Sequence, residues 1–197
     1  MDVDPRTLSG QAAYELLTAL FVPRPIAWMS TLDTEGRANL APFSFCGAVS
    51  THPPIVMVSI GRRDGQPKDT AANLLATREG ILHICHRPLA EAMVATSANP
   101  DAATDEFELA GLAKAPARKV APMRVADAAI ALEVQVERHL EIGAGPSDLF
   151  LLDVVHAHVR DDLLVDGAID QAQLRAVGRL GARLYCDTSA PFEIQPT

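Results

Sequence analysis

Asn39, Ser44 and Ser50 interrupt a stretch otherwise built of small and apolar residues, NLAPFSFCGAVS, where a strand facing only a core carries Val or Ile. Polar groups so placed suit a strand that faces a ligand, and small neighbours such as Ala41 let the backbone approach it closely. A second polar group stands at Pro67-Lys68-Asp69-Thr70. If a helix starts there, an ammonium, a hydroxyl and the free N–H groups of a first turn can converge on an anion such as phosphate. The same four residues also suit an ordinary cap, with Asp69 accepting from its own helix and Lys68 in solvent. Taken alone they leave both possibilities open.

Two further groups carry metal-ligand side chains. His83, Cys85 and His86 lie in GILHICH, whose alternation puts His83 and Cys85 on one strand face and His86 on the other, so core or rim positions are expected. His156 and His158 share a face in VVHAHV, but no third ligand stands near them in sequence, and no metal is assigned. Cys46, Cys85 and Cys186 are odd in number and widely spaced, against a disulfide framework or a CxxC zinc site. Gly143-Ala144-Gly145 lacks the third glycine and the helix of a dinucleotide fingerprint, GRRDGQPKDT does not match the spacing of a Walker loop, and no GxSxG elbow occurs.

The elements that must hold these residues are mostly strands. Arg24 to Leu32 and Asn39 to Ser50 read as a hairpin across an acidic, glycine-containing turn at 33–37, and Ile55 to Ile60 as a buried strand. A loop from Gly61 to Pro67 leads to an amphipathic helix from about Thr70 to Arg78, which Gly80 is expected to end. Ile81 to Cys85 is a strand, and Pro88 to Thr96 a short helix opened by proline. From about Ala128, Ile130, Leu132, Val134 and Val136 alternate with Ala131, Glu133, Gln135 and Glu137, which predicts one buried face. Leu149 to Val159 is a further strand, and the closing VDGAIDQAQLRAVGRLGARLY a short hairpin or helix. Residues 97–123, rich in Ala, Pro and charge, read as a long structureless insertion, a lid, binding loop or arm. About six strands without regular intervening helices favour an antiparallel barrel, mainly β with small helices.

Composition bounds the function. The 197 residues are 48% hydrophobic, enough for one core, so residues 1–197 are expected to form a single domain with the insertion at about 97–123. A net charge of −8 and a pI near 5.2 offer no basic face for a phosphate backbone, so no nucleic acid is expected. The polar, acidic start MDVDPRTLSG has neither a signal-like region nor a membrane span, which points to a cytoplasmic protein.

Taken together, RPIAWMST with Gly36, NLAPFSF, HPPIVMVSIG, KDTAANL, DEFELAGL and VGRLGARLY resemble the flavin-reductase-like, FMN-binding split-barrel family in order and spacing. The resemblance covers Arg24 to Tyr185. It implies a split, antiparallel, Greek-key-like β-barrel, homodimeric, with FMN near the subunit interface. By similarity Trp28, Met29, Ser30 and Thr31, with Asn39, Ala41, Ser44, Phe45 and Cys46, line the flavin ring and ribityl chain, partly through backbone groups, and Arg24 also belongs to the cofactor site. Lys68 and Thr70 would hold the phosphate, with Asp69 beside them in the cofactor site. Cys46 stands where relatives often carry an aromatic or small polar residue, and as a free thiol it is expected to pack as a small hydrophobe. Arg179 and Tyr185 match the closing segment without an assigned role. The implied activity is NAD(P)H-dependent flavin reduction, with NADH or NADPH as transient donor and no protein acid or base required. Reduced flavin would go to a partner monooxygenase. The alternatives are a flavoredoxin-like carrier that retains FMN and a flavin-binding barrel without turnover.

Overall fold

The computed structural model describes residues 2–98 and 104–195. Helix α1 (Gly10–Leu20) precedes a hairpin of β1 (Ala27–Leu32) and β2 (Ala38–Phe43). Strands β3 (Cys46–Thr51) and β4 (Pro54–Gly61) form a second hairpin, followed by α2 (Asp69–Thr77), β5 (Glu79–Ile84), α3 (Ala90–Ala95) and α4 (Glu106–Leu109). Short β6 (Lys114–Ala115) and β7 (Arg124–Val125) pair with each other ahead of two long strands, β8 (Ile130–Ile142) and β9 (Ser147–Val159). The chain closes with β10 (Leu164–Val165), β11 (Ala168–Ile169), α5 (Gln171–Leu174), β12 (Val177–Arg179) and β13 (Tyr185–Asp187).

One antiparallel sheet of seven strands, β2-β1-β5-β8-β9-β4-β3, dominates the molecule. Its edge strands β2 and β3 are joined only by Ser44 and Phe45. A connector that short brings the two edges together at one end, so the sheet must coil. Among the described residues no ladder joins β2 to β3, and the seam is left split along its length. The first hairpin turns where the Asp33 carboxylate accepts from the Glu35 and Arg37 N–H groups, with Gly36 at φ +82° completing a bend that a side chain rarely permits.

β1 is buried on both faces. Ala27 and Met29 pack with Val58, Leu74 and Phe150, while Trp28 on the opposite face packs with Leu40, Met93 and Phe107. The second core is built partly from the 97–123 segment, which corrects the expectation of a structureless insertion. Phe107 is fully buried, Ser30 Oγ donates to the Met123 carbonyl, and just past the segment Val125 N–H of β7 donates to His83 of β5. The His83 Nδ1–H faces the Trp28 carbonyl at 2.9 Å while Nε2 accepts from Val125 N–H at 3.0 Å, the core position expected of this histidine. Residues 99–103, within the predicted insertion, lie outside the described residues.

Other boundaries differ for local reasons. α2 ends at Arg78, whose left-handed conformation (φ +63°) forms the cap; Gly80 lies inside β5, where a Cβ would meet Leu74 Cδ2 at 3.2 Å and Met29 Cε at 3.3 Å. Glu133 is fully buried although the alternation of β8 put it on the outer face, because the β8–β9 register shifts beside it and residues 118–119 cover that face. α1 escaped the sequence reading altogether; Ser9 caps it by accepting from Ala12 N–H. Among the described residues no helix is long and apolar enough to cross a membrane.

Candidate functional site

Lys68 occupies the N-cap position of α2, and among the described residues no side chain caps that end. The first intrahelical bond runs from Ala72 N–H to the Lys68 carbonyl, so the N–H groups of Asp69, Thr70 and Ala71 precede the ladder and point out of the helix start. Arg63 lies on the same cavity wall, in a tight loop whose residues 63 and 66 exchange backbone bonds. Arg62 anchors that loop: its guanidinium grips the fully buried Asp148 through Nε at 3.0 Å and Nη2 at 2.8 Å, and reaches Glu141 at 2.6 Å. Burial, with the nearby Arg63 charge, lowers the Lys68 pKa. A lysine at a helix start that no described side chain caps, with an arginine on the same cavity wall, favours an anion there.

Behind this wall, Glu106 orders the polar strand. Its carboxylate accepts from Asn39 Nδ2 at 2.9 Å and from Leu40 N–H at 3.0 Å. Asn39 Oδ1, fixed by that bond, accepts the Thr70 hydroxyl at 2.6 Å. Thr70 has therefore spent its hydroxyl proton on Asn39, and its contribution toward an anion is its backbone N–H. Burial pushes the Glu106 carboxyl above its ordinary range, Asp69 adding to the effect, while the bonds from Leu40 and Asn39 pull the other way.

Two adjoining spaces share Lys68, Pro42, Phe43 and Ser97. The smaller, about 80 Å³, is lined by Asn39, Ala41, Asp69, Thr70 and Glu106 among others. The larger is an open groove of about 840 Å³ bordered by Arg24, Ser44, Phe45, Arg179 and Tyr185, with α1 along one side. Arg24 reaches the groove wall but is committed elsewhere. Nη1 donates to the Thr18 and Phe21 carbonyls at the end of α1, Nη2 to the Leu180 carbonyl, and Nε to Ser44 Oγ at 3.3 Å. It clamps α1 to the closing segment and orients Ser44. Arg179 stacks on the Tyr185 ring, its guanidinium carbon 4.5 Å from the centroid, and bonds the phenol oxygen and the Ala182 carbonyl.

The fold thus gathers Arg24, Asn39, Ala41, Ser44, Phe45, Lys68, Asp69 and Thr70 around the two spaces. Trp28, Met29, Ser30 and Thr31 are fully buried and line neither, because β1 lies between two cores. Trp28 Nε1 donates to Thr96 Oγ1 and Asn73 Nδ2 to Thr31 Oγ1. Cys46 also lines neither space; it packs against the first core, and burial raises its pKa to about 11, so the thiol stays protonated at neutral pH. Sequence reasoning missed Arg63, Glu106 and α1 as components of the site. Arg63 lay in a loop set aside for failing a motif, and DEFELAGL carried no role. The Ser9 cap before YELLTAL was the available signal for α1.

Residues 19–174 match the family described as the flavin reductase like domain. An uncharacterized protein of Halalkalibacterium halodurans is 37% identical over 203 residues, spanning 100% of this chain and 97% of its own. Among solved structures, nitrilotriacetate monooxygenase component B from Bacillus cereus superposes with a TM-score of 0.95 at 31% identity, covering 98% of each chain. The 2-nitrobenzoate 2-nitroreductase NbaA of Pseudomonas fluorescens gives 0.91 at 23% identity, over 100% of this chain and 96% of its own, a likeness of fold.

Proposed function

Because the chain belongs to the flavin reductase like domain family, we propose that it binds FMN in the groove and cavity around Lys68 and catalyses NAD(P)H-dependent flavin reduction. The observation that carries this reading is the start of α2, which no described side chain caps, with Lys68 on the wall where the two spaces adjoin. The donor set fits a phosphate, and about 840 Å³ of groove lies within the roughly 300–1,000 Å³ usual for such sites.

When bound, FMN would supply the redox chemistry, as acceptor of a hydride from a nicotinamide. The chain's own residues bind and orient. Lys68 and the N–H groups of the first turn hold the phosphate, Asn39 and Ala41 border the adjoining cavity, and Ser44, oriented by Arg24, offers a hydroxyl to the groove. No protein acid or base is required. We read the exposed Leu17, Leu20, Phe21 and Val22 on and after α1, with Phe45 and Val49, as the face of a homodimer that shields the groove. The likeness to a monooxygenase component supports delivery of reduced flavin to a partner oxygenase.

The test is an absorbance spectrum of protein with FMN, followed anaerobically by NADH and then NADPH. Bleaching of the flavin band within seconds is expected. Bound flavin that stays oxidised with both donors would overturn the reductase reading, and no flavin binding at all would overturn the site.

A further inference from the structure

Glu133, His156 and His158 offer three ligand atoms that all lie within 4.8 Å of one another, and none of the three residues borders the groove or the cavity beside it. The β8–β9 ladder brings them together. Glu133 pairs directly with His156, and Ala131 with His158, so all three project from one face. Just beyond, Val134 pairs with Val154, leaving Val155 as an extra residue in β9; a bulge of this kind re-aims neighbouring side chains.

Glu133 is held from behind. Oε1 accepts from Arg118 N–H at 2.7 Å and Oε2 from Lys119 N–H at 2.5 Å, while His158 Nε2 lies 2.6 Å from Oε1. A buried carboxylate fixed by backbone donors is the usual support of a ligating carboxylate. The His156 ring meets His158 edge-on with centroids 4.7 Å apart, and among the described residues its nitrogens have no hydrogen-bond partner.

We propose that Glu133, His156 and His158 form a site for a divalent transition metal of the zinc class on the β8–β9 ladder, solvent completing the coordination. Two imidazoles and a carboxylate are a borderline donor set that suits Zn²⁺. Ligands about 2.0–2.2 Å from a tetrahedral zinc stand roughly 3.3–3.6 Å from one another. Glu133 and His158 therefore part by about 1 Å, and His156, within 4.8 Å of both, closes in by at most about 1.5 Å. The proton shared between His158 Nε2 and Glu133 Oε1 leaves Nε2, for Nδ1 or solvent, as the ion takes its place.

Chelator-treated full-length protein titrated with zinc chloride tests the site by calorimetry, by metal content after gel filtration and by thermal melting. One zinc per chain, with a raised melting temperature, is expected. His156→Ala should weaken zinc binding by about 100-fold or more while leaving FMN binding intact. Absence of zinc binding, or equal binding by His156→Ala, would overturn the site. Cobalt titration of the unaltered protein needs no variant: visible bands saturating at one equivalent are expected, and their absence overturns the assignment. Zinc binding is expected whether or not the FMN reading holds.

Discussion

The hydroxyl of Thr70 points at Asn39 Oδ1, so the residues of the expected phosphate site divide their work. Lys68 supplies charge, the first turn of α2 supplies N–H groups, and Thr70 supplies rigidity. Lys68→Ala is expected to raise the FMN dissociation constant about 10–100-fold, or roughly 1.4–2.8 kcal/mol, with little change in melting temperature; flavin fluorescence quenching measures it. Glu106→Gln behaves differently. The amide keeps one acceptor for Asn39 or Leu40 but turns an N–H toward the other, so unfolding in urea should show a loss of about 1–3 kcal/mol. Arg24→Ala strips donors from three carbonyls at a position with 4% of its surface exposed. A loss of about 2–4 kcal/mol in urea is expected, and a variant as stable as the parent would remove Arg24 from the clamp. Lys68 and Thr70 were legible because a helix start announces itself locally. Glu106 was not, because its partners lie more than sixty residues away in sequence.

At the scale of elements, the unexpected behaviour belongs to β1 and to the segment after α3. Trp28 to Thr31 read as ligand-facing residues on a resemblance, yet α2 and β4 cover one face of β1 while α3 and α4 supply a second core on the other. Phe107 of α4 is the anchor of that second core. Phe107→Ala is expected to cost about 3–5 kcal/mol and to loosen the segment, seen as faster amide exchange at Val125, whose N–H bonds His83. Unchanged exchange there would mean that the segment is held by other contacts. The segment looked structureless because Ala, Pro and scattered charges carry no period, and single buried anchors such as Phe107 leave none to detect.

Acid should loosen the whole molecule through His83. Burial lowers its pKa from 6.5 to about 4, against the bond to Trp28. The unfolded chain takes up a proton below about pH 6.5 that the folded chain refuses until about pH 4, so stability falls as pH drops through that window, by about 3 kcal/mol from this residue. Urea unfolding at pH 7 and pH 4.5 should show a smaller pH difference in His83→Gln than in the parent; equal differences would place the acid sensitivity elsewhere. Strand alternation, the turn at 33–37, the start of α2 and the ordered segments of the family were all determined by the sequence itself, because alternation, caps and turns act between residues a few positions apart. Tertiary structure alone decided that β1 is buried on both faces, that Glu106 orders Asn39, and that Glu133 meets His156 and His158 across a shifted register. Those environments depend on which distant segment packs against a face, and no local period carries that information.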